Sequence, residues 1–120
     1  MKNRQFDSID ERLNYIEFRQ QLLFENDEVS RLLFENQITE IEYRNLMDLM
    51  DSYRAKLDNG EEVFSGEYEQ KVYEIIPSKY GDYHFCEHFV ESLYEQNRWE
   101  EVFPALYSHS PKYSFLKDKK

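Results

Sequence analysis

The pentapeptide Leu-Leu-Phe-Glu-Asn occurs twice, at Leu22–Asn26 and at Leu32–Asn36, and this repeat decides how many helices the first part of the chain can form. In one continuous helix, residues ten apart differ by about 80° in azimuth, so the two copies would face different directions. The segment Asn-Asp-Glu at 26–28 supplies N-cap chemistry and acidic side chains suited to a helix N-terminus. We therefore predict a break there, followed by a short helix over about residues 27–35 that Asn36 closes in a left-handed conformation.

The first helix is predicted to begin near residues 7–8, where Ser8 followed by Glu11 makes a capping box. Apolar residues then recur at steps of four and three, which is a heptad seam with one polar member. Such a seam is typical of a helix that pairs with another helix, and we predict that it forms a protein interface through which the chain self-associates. Its members are Ile9, Leu13, Ile16, Gln20 and Leu23.

The third helix has the strongest start signal, a capping box from Thr39 to Glu42 with Ile38 and Tyr43 placed as a hydrophobic staple. It should run to about Leu57 and end at the Asp-Asn-Gly of 58–60.

Beyond residue 60, Ser65 is predicted to cap a fourth helix that Pro77 stops. A fifth helix should cover about residues 83–96, and a last short helix should contain Trp99–Tyr107, with Pro104 kinking it or lying in its first turn. No alternating strand pattern is longer than a few residues.

These elements predict an all-α fold: a compact bundle of about five to six helices, with a long N-terminal amphipathic helix and a helix–turn–helix core. At 120 residues, the chain is expected to form a single helical domain over 1–120, with about 110–120 as a partly flexible tail.

The formal net charge of −10, from 25 acidic and 15 basic side chains, argues against direct nucleic-acid binding, which needs clustered Lys and Arg. It argues against anionic membrane surfaces for the same reason. Cys86 is the only cysteine, and the sequence contains no apolar run of membrane length. We expect a cytoplasmic protein.

Three stretches carry a family resemblance: ERLNYIEFRQQLL (Glu11–Leu23), RLLFENQITEIEYRNLMDLMD (Arg31–Asp51) and FVESLYEQNRWEEVFPALY (Phe89–Tyr107). They resemble the opening helix, the helix–turn–helix core and the C-terminal region of the YhaI-like proteins of Bacillus and relatives, a small family of unknown function. The middle stretch also resembles generic helix–turn–helix modules. The family resemblance implies an all-helical, oligomeric fold and provides no catalytic residues to transfer.

The segment His84-Phe85-Cys86-Glu87-His88 formally matches the H-x-x-E-H order of inverted zinc peptidases, with Glu87 as a base. Such a hydrolase also needs a distant third ligand and a substantial cleft, for which the chain has little room. Cys86 could instead be a nucleophile if a cationic neighbour or a helix start lowered its pKa. The simpler interpretation is two partly exposed histidines on an amphipathic helix, Glu87 in solvent and a small buried thiol, so we predict no catalytic residue, no metal and no cofactor.

Ten Tyr, nine Phe and one Trp exceed what a small core can hide, and aromatic side chains dominate interface hot spots. A second interface group is predicted around the last turn, at Tyr94, Arg98, Trp99 and Phe103, although Trp99 could simply pin the C-terminal helix to the core.

The sequence thus favours a non-enzymatic, acidic helical protein that self-associates and binds another protein in a regulatory or adaptor-like role. The alternative is a DNA mimic, a phage or mobile-element inhibitor of a nucleic-acid-binding or defence protein, and the net charge motivates it.

Overall fold

The computed structural model describes residues 6–108 and residue 112, and within them it contains six α-helices and no strand. The prediction of an all-α fold of five to six helices is confirmed. A short 3₁₀ helix, Pro77–Lys79, follows the fourth helix. The α-helices are α1 (Ile9–Glu25), α2 (Glu28–Glu35), α3 (Glu40–Asp58), α4 (Ser65–Ile75), α5 (Tyr83–Glu95) and α6 (Val102–Tyr107).

Contacts along the chain divide it into two units, Met1–Arg44 and Asn45–Lys120. Helix α3 begins in the first and ends in the second. The single domain expected from the length stays a prediction. Of the predicted tail at about 110–120, only Lys112 is described, and the rest of the tail lies outside the described residues.

In the first unit, α1 packs against α2, and the break between them lies where the sequence predicts it. Asn26 ends α1 with a φ of 48° and donates its backbone N–H to the Leu22 carbonyl. The carboxylate of Asp27 then accepts the Ser30 N–H at 2.7 Å and caps α2. The two copies of the repeat therefore belong to two different helices.

The prediction that Asn36 takes the left-handed conformation is wrong, because Gln37 takes it, with a φ of 56°. The Leu32 carbonyl accepts both the Asn36 side-chain amide at 2.8 Å and the Asn36 backbone N–H at 3.1 Å, and Asn36 keeps a negative φ of −95°. The turn closes one residue later as a Schellman motif, in which the Ile38 N–H bonds to the Leu33 carbonyl at 3.0 Å.

The capping box of α3 is confirmed in both directions. The Thr39 N–H donates to Glu42 Oε1 at 3.0 Å, and the Glu42 N–H donates to Thr39 Oγ1 at 3.3 Å. The Ser8 hydroxyl likewise accepts the Glu11 N–H at 3.1 Å at the start of α1.

The second unit is built around aromatic side chains of α3, α4 and α6. The Tyr68 ring packs edge-on against both Tyr53 and Tyr107, and its hydroxyl donates to the Cys86 carbonyl at 2.7 Å. The prediction that Ser65 caps α4 is wrong: Phe64 occupies the cap position and makes no side-chain cap bond, so Ser65 is the first helical residue.

A second Schellman motif ends α5. Asn97 has a φ of 60°, and the Arg98 N–H bonds to the Leu93 carbonyl at 2.9 Å. Pro104 lies in the first turn of α6, where a missing N–H is tolerated; this confirms the second of the two predicted placements.

Candidate protein-binding surface

One face of α1 is anchored within the first unit. Phe18 and Leu22 are buried, and Phe18 makes a ring contact with Tyr43 at 6.2 Å between centroids. The Arg19 guanidinium lies 3.7 Å from the centroid of the Phe34 ring and donates to the Phe34 carbonyl at 3.0 Å. A cation over an aromatic face combined with a charge-assisted hydrogen bond fixes how α1 is rotated about its axis.

The heptad seam lies on the other face of α1, and all of it is in contact with water. Ile9, Leu13, Ile16 and Leu23 are 76, 50, 45 and 59% exposed, and Gln20 is also exposed. Charged side chains would be the ordinary choice on such a face, because aliphatic side chains gain nothing from hydration. We call these five residues the α1 seam.

The two copies of the repeat sit in different environments. In the first copy Leu22 is buried, whereas Phe24 is 90% exposed and extends the apolar surface beyond Leu23. In the second copy Leu32 and Leu33 are both buried. The same pentapeptide therefore contributes to an exposed surface in α1 and to the buried core in α2.

The second predicted group is only half-exposed. Phe103 is buried and contacts the Tyr94 ring at 5.4 Å, while Tyr94, Arg98 and Trp99 are partly exposed. The Trp99 indole donates to the Asp51 carboxylate at 2.8 Å. The structure thus gives Trp99 a partner on α3.

Arg54 and Glu101 stand beside this group and were not singled out from the sequence. The guanidinium donates twice to the carboxylate, at 2.6 and 3.0 Å, which holds the pKa of Glu101 below its usual range. The two residues lie 47 positions apart, and no pattern in the sequence links them.

The His84–His88 segment lies at the start of α5. Both histidines are exposed, and the Glu87 carboxylate accepts from Lys112 Nζ at 3.2 Å. Burial raises the pKa of the Cys86 thiol to about 12, the opposite of what a thiolate nucleophile needs. Nowhere in the described ranges are three His, Cys, Asp or Glu side chains grouped so that they could hold a metal ion.

Among the described helices, none combines the length and apolarity needed to cross a bilayer. No family model, curated protein or solved structure matches the chain. The resemblance to the YhaI-like family accordingly stays a prediction, and the surface has to be interpreted from its own chemistry.

Proposed function

We propose that this protein is non-enzymatic and acts by binding proteins, other copies of itself included, through the α1 seam. The observation that carries the proposal is the exposure of four large aliphatic side chains at heptad spacing on a helix whose opposite face is anchored. Contiguous apolar surface on a folded protein is characteristic of an interaction site. A regulatory or adaptor-like role follows from such binding.

The strength of self-association can be bounded from these exposures. On average slightly more than half of each aliphatic side chain of the α1 seam is in water. At about 2 kcal/mol for a fully buried side chain, covering the seams of two chains gains about 9 kcal/mol. Association itself costs at least about 4 kcal/mol, so at most about 5 kcal/mol remains, which corresponds to a Kd no tighter than about 0.2 mM.

The 4-3 spacing also sets the heptad frame of the α1 seam. Leu13 and Gln20 lie at heptad a positions, and Ile9, Ile16 and Leu23 lie at d positions.

Sedimentation velocity at protein concentrations from about 10 µM to about 1 mM tests the proposal, because this range brackets the limiting Kd. We expect a concentration-dependent rise in mass that Ile16→Gln abolishes. Ile41→Gln is the matched control, since Ile41 is 62% exposed and lies outside α1; this variant should associate like the parent. A parent that stays monomeric throughout, or equal effects of both substitutions, would refute the proposal.

A further inference from the structure

The charges beside the α1 seam differ on its two sides. At about 100° per residue, Glu17 lies on one flank at a heptad e position and Arg12 lies on the other at a g position. Both are exposed, and no ion pair joins either of them to a residue in the described part of the chain. Arg19, the next residue on the basic flank, is held by Phe34.

The geometry points to a second copy of this chain as the occupant of the α1 seam, with the two α1 helices parallel and in register; this inference rests on the self-association proposed above. In a parallel pair, a g residue faces the e residue five positions later on the partner helix. Arg12 of each chain then faces Glu17 of the other, and two ion pairs form around the seam.

An antiparallel pair would place like charges together. In that arrangement g flanks meet g flanks and e flanks meet e flanks, so Arg12 approaches the basic flank of its partner and Glu17 approaches an acidic flank. Like-charge juxtaposition across an interface disfavours that partner orientation. The charge pattern of α1 therefore selects the parallel orientation.

Gln20 selects the register. It is the only polar member of the α1 seam and occupies an a position. In a parallel, in-register pair it faces its own copy, and the two amides can donate and accept across the axis. An antiparallel or shifted pair sets it against an aliphatic side chain and leaves a buried amide without a partner. A single polar a residue specifies register in coiled coils in this way.

Gln20→Cys tests the orientation directly, because two cysteines at this position meet only in a parallel, in-register assembly. The variant should form a covalent dimer on mild oxidation or with a short bis-maleimide. Gln21→Cys is the matched control: it is exposed and lies about 100° away around the helix, so it should remain uncrosslinked. Cys86 is fully buried, and the parent protein therefore gives the background.

Charge reversal provides a second readout, because Arg12 and Glu17 face each other only in the parallel orientation. Arg12→Glu or Glu17→Arg alone should weaken parallel self-association by about tenfold, through the loss of two exposed ion pairs. The double variant should restore it. In an antiparallel assembly Arg12 and Glu17 do not face each other, so the double variant would show the sum of the two single effects and no rescue.

The outcomes separate the two proposals. Crosslinking through Gln20→Cys together with rescue by the double reversal supports the parallel arrangement. A parent that associates by sedimentation, while Gln20→Cys stays uncrosslinked or the double reversal fails to restore association, overturns the orientation and leaves the proposed function standing. A monomeric parent overturns both.

Discussion

Leu22→Ala and Leu23→Ala remove the same atoms from two different faces of one helix, and the structure predicts opposite consequences. Leu22 is 4% exposed, so its truncation leaves a cavity and should lower the free energy of unfolding by about 2–4 kcal/mol. Leu23 is 59% exposed. Its truncation should cost the isolated chain at most about 1 kcal/mol.

Self-association should show the reverse order. Losing the exposed part of Leu23 from each of two chains removes about 2 kcal/mol of interface burial, which weakens association by about 30-fold. Leu22→Ala leaves the α1 seam intact and should associate like the parent wherever it is folded.

Chemical denaturation at a protein concentration well below the Kd gives the stability of the isolated chain, and sedimentation at high concentration gives the association. The reasoning is refuted if Leu23→Ala destabilises the dilute protein as much as Leu22→Ala does, because the α1 seam would then be an interior surface. It is equally refuted if Leu23→Ala leaves association unchanged.

Two further predictions concern stability alone. Thr39→Ala removes the hydroxyl that caps α3 and should cost about 1 kcal/mol in a denaturant titration, whereas Thr39→Ser should be close to neutral; equal losses would contradict the cap. Alkaline solution should destabilise the fold, because burial raises the pKa of Tyr53 and of Cys86 to about 12. The folded state then holds protons that the unfolded chain releases above its ordinary values of 10.0 and 9.0. The contribution of these two protonated groups to the free energy of unfolding is complete below those pH values. As the pH rises towards 12, each group loses up to about 1.4 kcal/mol of that contribution per pH unit. An unfolding free energy that stays constant from about pH 9 to pH 11 would contradict the expected loss of stability.

Local chemistry made most helix boundaries predictable from the sequence. Ser8, Asp27 and Thr39 cap helices because their side chains reach an N–H three residues on, an interaction that depends only on nearby residues. The failure at Asn36 is also local. An asparagine can enter the left-handed region or bond back to a carbonyl with its side chain, and here the second solution prevails.

The candidate surface was predictable as a pattern, whereas its exposure was not. Helix α1 carries apolar residues on two faces, the α1 seam and the side of Tyr15, Phe18 and Leu22. Periodicity identifies both and cannot say which one the rest of the chain covers. That choice depends on tertiary partners such as Tyr43. The contacts among Asp51, Arg54, Trp99 and Glu101 were beyond sequence analysis for the same reason.

The exposure of the α1 seam follows from how α1 is held. Rotating the helix to bury the seam would bring Phe18 and Leu22 into water and would separate the Arg19 guanidinium from the Phe34 ring and carbonyl. Both faces are apolar, so the gain from burying either is similar, and the cation–π contact and the charge-assisted hydrogen bond decide between them. The residues that anchor one face of α1 therefore present the other to a partner.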